Sequence, residues 1–214
     1  MDGLQAWSEY TRFFIALTAV LDPFLAVPLY VAVTAGKPEA YRLRLARLVT
    51  VTVFLVLVGA ALVGEGLLTL MGGSLASFRV GGGLVLLLMA LAMLNARTGA
   101  VRQTDEEASA AGQHAGAGIV PLAIPLLAGP GAISTVIIAV HTGGIAHFAA
   151  IGACIAGVCA LLWTVLRLAA PIGERLGTTG MNVANRLLGL LLTAIAIETM
   201  AIGIRQLFPV LAGN

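Results

Sequence analysis

Six runs of roughly twenty residues, almost free of charge, recur along the 214-residue chain: Phe13–Thr34, Leu48–Leu70, Val80–Ala96, Gly118–Val140, Phe148–Ala170 and Leu187–Phe208. A helix of about 20 apolar residues crosses the roughly 30 Å of hydrocarbon in a bilayer. Backbone polar groups find no water there, so only helices and closed barrels span it. These runs are continuous rather than alternating, which argues against a barrel. The pattern predicts an all-α integral membrane protein with six transmembrane helices.

The surface chemistry agrees. Charged residues make up 10% of the chain and hydrophobic ones 59%, against about 25% and 45–50% in soluble domains. So few charges cannot cover a water-soluble globule. A net charge of +2 implies no nucleic-acid partner. Asp2 and Glu9 stand where a cleavable signal would be basic. Cys154 and Cys159 lie in one apolar run, about 140° apart around a helix, so they cannot bridge each other.

Basic residues orient the spans, because they collect in cytoplasmic connections. Lys37, Arg42, Arg44, Arg47, Arg97, Arg102, Arg167, Arg175 and Arg186 fall on one side. Arg12, Arg79 and Arg205 fall on the other. The side with nine is expected to be cytoplasmic and both termini outside. Residues 97–117, alanine- and glycine-rich around Asp105, Glu106 and Glu107, form the expected cytoplasmic linker. It divides an N-terminal half, 1–96, from a C-terminal half, 118–214.

Three spans per half is an odd number, so the second half enters from the opposite side. At an offset of 107 residues Pro23 falls on Pro130, Arg79 on Arg186, Gly82 on Gly189, Leu84 on Leu191 and Met93 on Met200. The halves are therefore expected to form an inverted three-helix repeat.

The matched prolines interrupt their spans. Span one contains Asp22-Pro23 and Pro28; span four contains Pro125 and Gly129-Pro130-Gly131. Proline lacks an amide and clashes with the preceding turn, so Pro23, Pro28 and Pro125 are expected to break helices. Asp-Pro suits an N-cap followed by the first helical position. Each span is expected to be two half-helices joined near mid-membrane, where only protein or a watery cavity tolerates irregular backbone.

Acids inside a bilayer are costly, by roughly 2.5–3.5 kcal/mol at a helix centre. Asp22 sits at the first break and Glu198 near the middle of span six; Glu65 lies nearer the outer end of span two. Asp22 and Glu198 are the candidate ion-coupling residues, with a helix cap and a structural pair as their respective alternatives. Arg79 and Arg186 begin spans, where snorkelling is the ordinary role. His114, His141 and His147 are expected in loops without metal-ligand spacing, so no metal or cofactor is expected. Enzyme readings fail on the aspartates present, Asp2, Asp22 and Asp105, and on missing serine-elbow and zinc motifs.

The stretches Leu21–Pro28, Pro121–Ala132 and Arg186–Leu191 resemble the MarC family of bacterial inner-membrane proteins, over almost the whole chain. Phe24-Leu25 departs from the glycine common there. The resemblance implies an inner-membrane location, transport of glycine- or alanine-sized neutral amino acids, and coupling to protons or sodium in some members. It also suggests kinship with six-span lysine exporters. Such a substrate carries a carboxylate, and the half-helix after Gly129 opens with uncapped amides. Gly129, Pro130, Gly131, Ala132, Ile133 and Ser134 are therefore the candidate substrate-binding residues. An uncoupled channel or facilitator for small solutes is the alternative; a structural subunit of a larger assembly is a third reading.

Overall fold

The computed structural model describes residues 3–70, 72–95, 127–141 and 144–212, and they are helical. In chain order the helices are α1 (Gly3–Leu21), α2 (Pro23–Thr34), α3 (Glu39–Leu70), α4 (Leu75–Leu94), α5 (Pro130–Val140), α6 (Ile145–Arg167) and α7 (Ala169–Leu207), then a 3₁₀ turn at Pro209–Ala212. Among these residues no strand occurs. Five segments are long and apolar enough to cross a membrane: Ser8–Pro28, Glu39–Gly64, Leu75–Leu94, Ile145–Arg167 and Thr179–Leu207. α5 is apolar but shorter. The expected linker, Pro125 and the first part of the expected fourth span, residues 118–126, lie outside the described residues.

Local chemistry sets the boundaries. The Ser74 hydroxyl accepts from the Ser77 amide, and the Ser77 hydroxyl accepts from the Ser74 amide, a reciprocal cap that starts α4. This places the start five residues before the expected Val80. At its other end the Asn95 side-chain amide donates to the Leu91 carbonyl at 2.9 Å. α3 begins at Glu39, nine residues before the expected Leu48. Its 32 residues span about 48 Å at 1.5 Å each, more than the bilayer needs. The surplus carries Arg42, Arg44 and Arg47 into the polar margin.

The loop expected between Ala170 and Leu187 is helix instead. Met181, Asn185, Leu192 and Ala196 are buried at spacings of four, seven and four, a stripe that packs only if the segment is helical. α7 bends at Gly177, whose φ of 57° and ψ of −174° fit glycine. His147, also expected in a loop, lies in the first turn of α6. Its Nε2–H donates to the Ala139 carbonyl at 2.8 Å, since a carbonyl can only accept. Nδ1 then accepts from the Tyr10 hydroxyl at 3.2 Å, so one ring ties α1, α5 and α6 together.

The core gathers one stripe from each helix: Leu17 and Val20 from α1, Val49, Val53 and Leu57 from α3, Leu86 and Met93 from α4, Ile155 and Leu162 from α6. Opposite stripes stay exposed, among them Leu55, Leu62, Leu88, Leu187 and Leu190. Outward leucine with small residues between helices is what lipid permits, because apolar chains gain nothing by leaving it. Cys154 and Cys159 are free thiols.

The most extensive interface joins α4 and α7. A Cβ added at Gly203 would fall 2.8 Å from the Ala76 carbonyl, and one at Gly189 would fall 3.1 Å from that of Ala90. The start of α4 thus lies beside the end of α7, and the pair is antiparallel. The approach is reciprocal: Gly83 meets the Ala196 carbonyl at 3.0 Å. In both glycines and both alanines the partners differ by 106 positions.

Backbone atoms cannot retreat as a side chain can. Gly189→Ala is therefore expected to destabilise the protein by about 1–3 kcal/mol through overpacking. Gly152→Ala, where a Cβ meets nothing within 4 Å, is expected to be neutral or slightly stabilising. Thermal unfolding of both variants in one detergent checks the contrast.

Candidate functional site

α1 stops at Leu21 and α2 starts at Pro23, so the first span is broken where Asp-Pro predicts. Asp22 is the joint. It is fully buried, with φ of 46°, the left-handed region that aspartate tolerates better than most residues. Its amide still donates to the Thr18 carbonyl at 3.0 Å, closing α1. Its Oδ1 accepts from the Leu25 amide at 3.2 Å, capping α2. The residue thus serves two helices at once, α1 through its backbone amide and α2 through its side chain.

Pro28 departs from expectation, because α2 runs on through it. Its missing amide leaves the Phe24 carbonyl without the usual helical donor. One lost bond within a packed transmembrane helix is tolerated.

The second break is built differently. Gly129 is extended, with φ of −68° and ψ of 178°, and no side chain caps α5. Pro130 takes the first helical position and has no amide to satisfy. The Ala132 and Ile133 amides both turn back to the Gly129 carbonyl, at 3.0 and 3.2 Å. The Gly131 amide is the one left without a partner inside the helix. The Ser134 and Thr135 hydroxyls donate to the Gly131 carbonyl at 3.0 and 2.8 Å.

The two breaks meet. A Cβ at Gly131 would fall 3.3 Å from Val20 Cγ1, two residues before Asp22. The same point lies 2.9 Å from Met89 Sδ and 3.0 Å from Leu86 Cδ2. Gly131 and Ala132 thus face protein, while Gly129, Pro130, Ile133 and Ser134 line a cavity of about 740 Å3 against Phe78 and Gly82 of α4. The six expected binding residues split between an inner wall and a cavity wall. α2 has 12 residues and α5 has 11, so each break lies roughly 17 Å, about half a bilayer, from the far end of its half-helix.

A second cavity, of about 490 Å3, runs between Leu25, Val27 and Pro28 of α2 and Met181, Asn182 and Asn185 of α7. One cavity borders the first half of α4 and the other the first half of α7. Because these helices are antiparallel, the cavities lie toward opposite ends of the bundle. The asparagines were missed in the sequence, hidden in the segment taken for a loop. The four–seven–four spacing around Asn185 is the signal that finds them. Asn185 is buried, and its Oδ1 has no hydrogen-bond partner among the described residues.

Glu198 is not brought to the breaks. It is exposed toward a separate cavity of about 350 Å3 shared with Arg12, Phe13, Thr135 and Thr199. Among the described residues no cluster of three metal-ligating side chains occurs.

A bundle of apolar helices with five long, apolar spanning segments, the first of them broken at a buried joint, defines a multi-pass integral membrane protein. Its sequence matches the description of the MarC family of integral membrane proteins over residues 7–208, and the chain belongs to that family. It is 34% identical over 201 residues to the membrane protein YhcE of Escherichia coli strain K12, covering 94% of each chain. It is 34% identical over 207 residues to YvbG of Bacillus subtilis strain 168, covering 96% of this chain and 98% of that one. A membrane protein of Pyrococcus horikoshii, PH0760, is 32% identical over 209 residues, covering 97% and 100%. No solved structure matches.

The cap and the left-handed backbone at Asp22 separate two substitutions. Asp22→Ala loses about 1 kcal/mol with the cap and about 1–2 kcal/mol more from the backbone. Asp22→Asn keeps both features and is expected to unfold close to the parent temperature. Equal unfolding temperatures for the two variants would show that the joint does not depend on this side chain.

Proposed function

We propose that the chain is a secondary transporter of small neutral amino acids in the inner membrane, coupled to protons or sodium. In this reading six spans form two inverted three-helix halves, residues 1–96 and 118–214, with both termini outside. The observation that carries it is the meeting of two mid-span breaks between cavities at opposite ends of the bundle. Alternating access needs such a centre, with one path to each side. The reciprocal contacts of Gly83 with the Ala196 carbonyl and of Gly189 with the Ala90 carbonyl, partners 106 positions apart, support the repeat further.

The substrate carboxylate is held at the start of α5, where the Gly131 amide and the positive helix end favour an anion. Its ammonium group turns toward Asp22. Val20, Leu86 and Met89 pack against Gly131 from within, so the substrate approaches from the cavity side, past Gly129, Pro130, Ile133 and Ser134. Asp22 takes up the coupling ion, its charge changing as access alternates. Glu198, in its own cavity, contributes less. The protein acts as a carrier without cofactor and not as an enzyme. A second reading, an uncoupled facilitator, draws on the larger cavity, whose lining includes Leu68, Phe78, Val85 and Ile133 and, among the described residues, no ionisable side chain.

Purified protein in proteoliposomes, given labelled glycine or alanine under an imposed proton or sodium gradient, tests this directly. Accumulation above the external concentration is expected. Equilibration without accumulation would select the facilitator. Asp22→Asn is expected to abolish accumulation, and Glu198→Gln to reduce it less. Full concentrative transport by Asp22→Asn would reduce Asp22 to a helix cap.

The orientation has its own test. With Cys154 and Cys159 replaced, single cysteines at positions Ala40 and Ala110 are expected to resist an impermeant thiol reagent in intact cells. Labelling of both from outside would invert the topology.

A further inference from the structure

The turn between α2 and α3 and the junction between α6 and α7 enclose a third cavity, of about 580 Å3. Three cations line it, Lys37, Arg42 and Arg167, with Glu39 the one acid among the lining residues. Lys37 and Arg42 come from one basic connection, and Arg167 joins them from more than a hundred residues away, so only the fold brings the third cation to the other two. Each is positioned. The Tyr30 hydroxyl donates to the Arg42 carbonyl, fixing the first turns of α3 against α2. The Lys37 ammonium lies 6.0 Å from the Tyr41 ring centre, and the Arg167 guanidinium 5.3 Å from that of Trp163. Leu168 and Ala170 bring the start of α7, which no side chain caps, to the same wall.

An excess of fixed positive charge beside uncapped amides selects an anion with several acceptor oxygens. The cavity's height narrows the choice. Two apolar spanning segments end here, at Glu39 and at Arg167, so the site lies where hydrocarbon gives way to headgroups. Exposed Val31 and Leu168 flank the cations on the same lining, offering acyl chains a surface beside the charge. We propose that this cavity binds the phosphate of an anionic phospholipid, bridging the α2–α3 turn to the α6–α7 junction. The site stands independently of any transport activity.

Native mass spectrometry of the full chain, released from micelles containing phosphatidylglycerol and phosphatidylcholine, tests the proposal. Retained phosphatidylglycerol is expected to exceed phosphatidylcholine. A basic residue near such a surface contributes roughly fivefold in affinity, so Lys37→Gln, Arg42→Gln and Arg167→Gln together are expected to weaken binding about a hundredfold. Arg167→Gln alone, if the triple variant fails to fold, is expected to weaken it about fivefold. Arg44→Gln with Arg47→Gln, on the same helix but outside the cavity, is expected to leave binding unchanged. No preference for phosphatidylglycerol, or an equal loss in the Arg44 and Arg47 variant, would overturn the site. Competition by soluble glycerol phosphate as effective as that of the lipid would also overturn the lipid assignment and leave a soluble phosphate ester as the ligand.

Discussion

Hydrocarbon offers no hydrogen bonds, so a chain that interrupts a helix there must cover the interruption with itself. The rest of this structure follows from that constraint. Asp22, Leu127 and Ala128 are almost completely buried. They are covered by each other's surroundings: Val20 from one break and Leu86 and Met89 of α4 close over Gly131 at the other. Asp22 satisfies the Leu25 amide with one carboxylate oxygen. The second break, lacking such a side chain, folds two amides onto the Gly129 carbonyl. The same physical problem has two solutions, one using a side chain and one the backbone alone.

Covering both breaks requires a wall that does not yield. α4 and α7 provide it by approaching to backbone contact at Gly83, Gly189 and Gly203. In lipid such contact replaces the hydrophobic effect as the source of association, since leucine is equally content facing acyl chains. Exposed leucines on the outer faces of both helices fit this division. The glycine–carbonyl contacts are reciprocal between the two helices, and the matches to the family relatives extend across both.

Much of this was legible in the sequence because bilayer thickness converts composition into architecture. Long apolar runs located the spanning segments, and Asp22-Pro23 and Gly129-Pro130 marked the breaks. Three kinds of information were not legible. Helix ends beyond the hydrocarbon, as at Glu39 and Ser74, depend on capping and local propensity, which hydropathy does not register. The helix from Met181 to Asn185 looks polar enough for a loop, and only its packing stripe makes it helical. Pro28 shows the converse: a residue that signals a break can be absorbed when neighbouring helices hold the turn in place. For the candidate site, residue types identified the joint at Asp22 and the start of α5. They could not tell which of Gly129–Ser134 faces a cavity, because that depends on how α5 is rotated against α4.

α2 and α5 have a further property. At 12 and 11 residues, both are at or below the length at which a helix in water holds itself together, about 12–15 residues. α2 also contains a proline, and α5 begins with one. Their helical state is lent to them by the surfaces they rest on, whereas α3, at 32 residues, owns its own. In hydrocarbon an unwound turn strands its amides and carbonyls, so a shift in the surface behind either short helix would move that helix as a unit, its turns intact. Helix length alone thus divides the bundle into two short levers and a frame of longer rods.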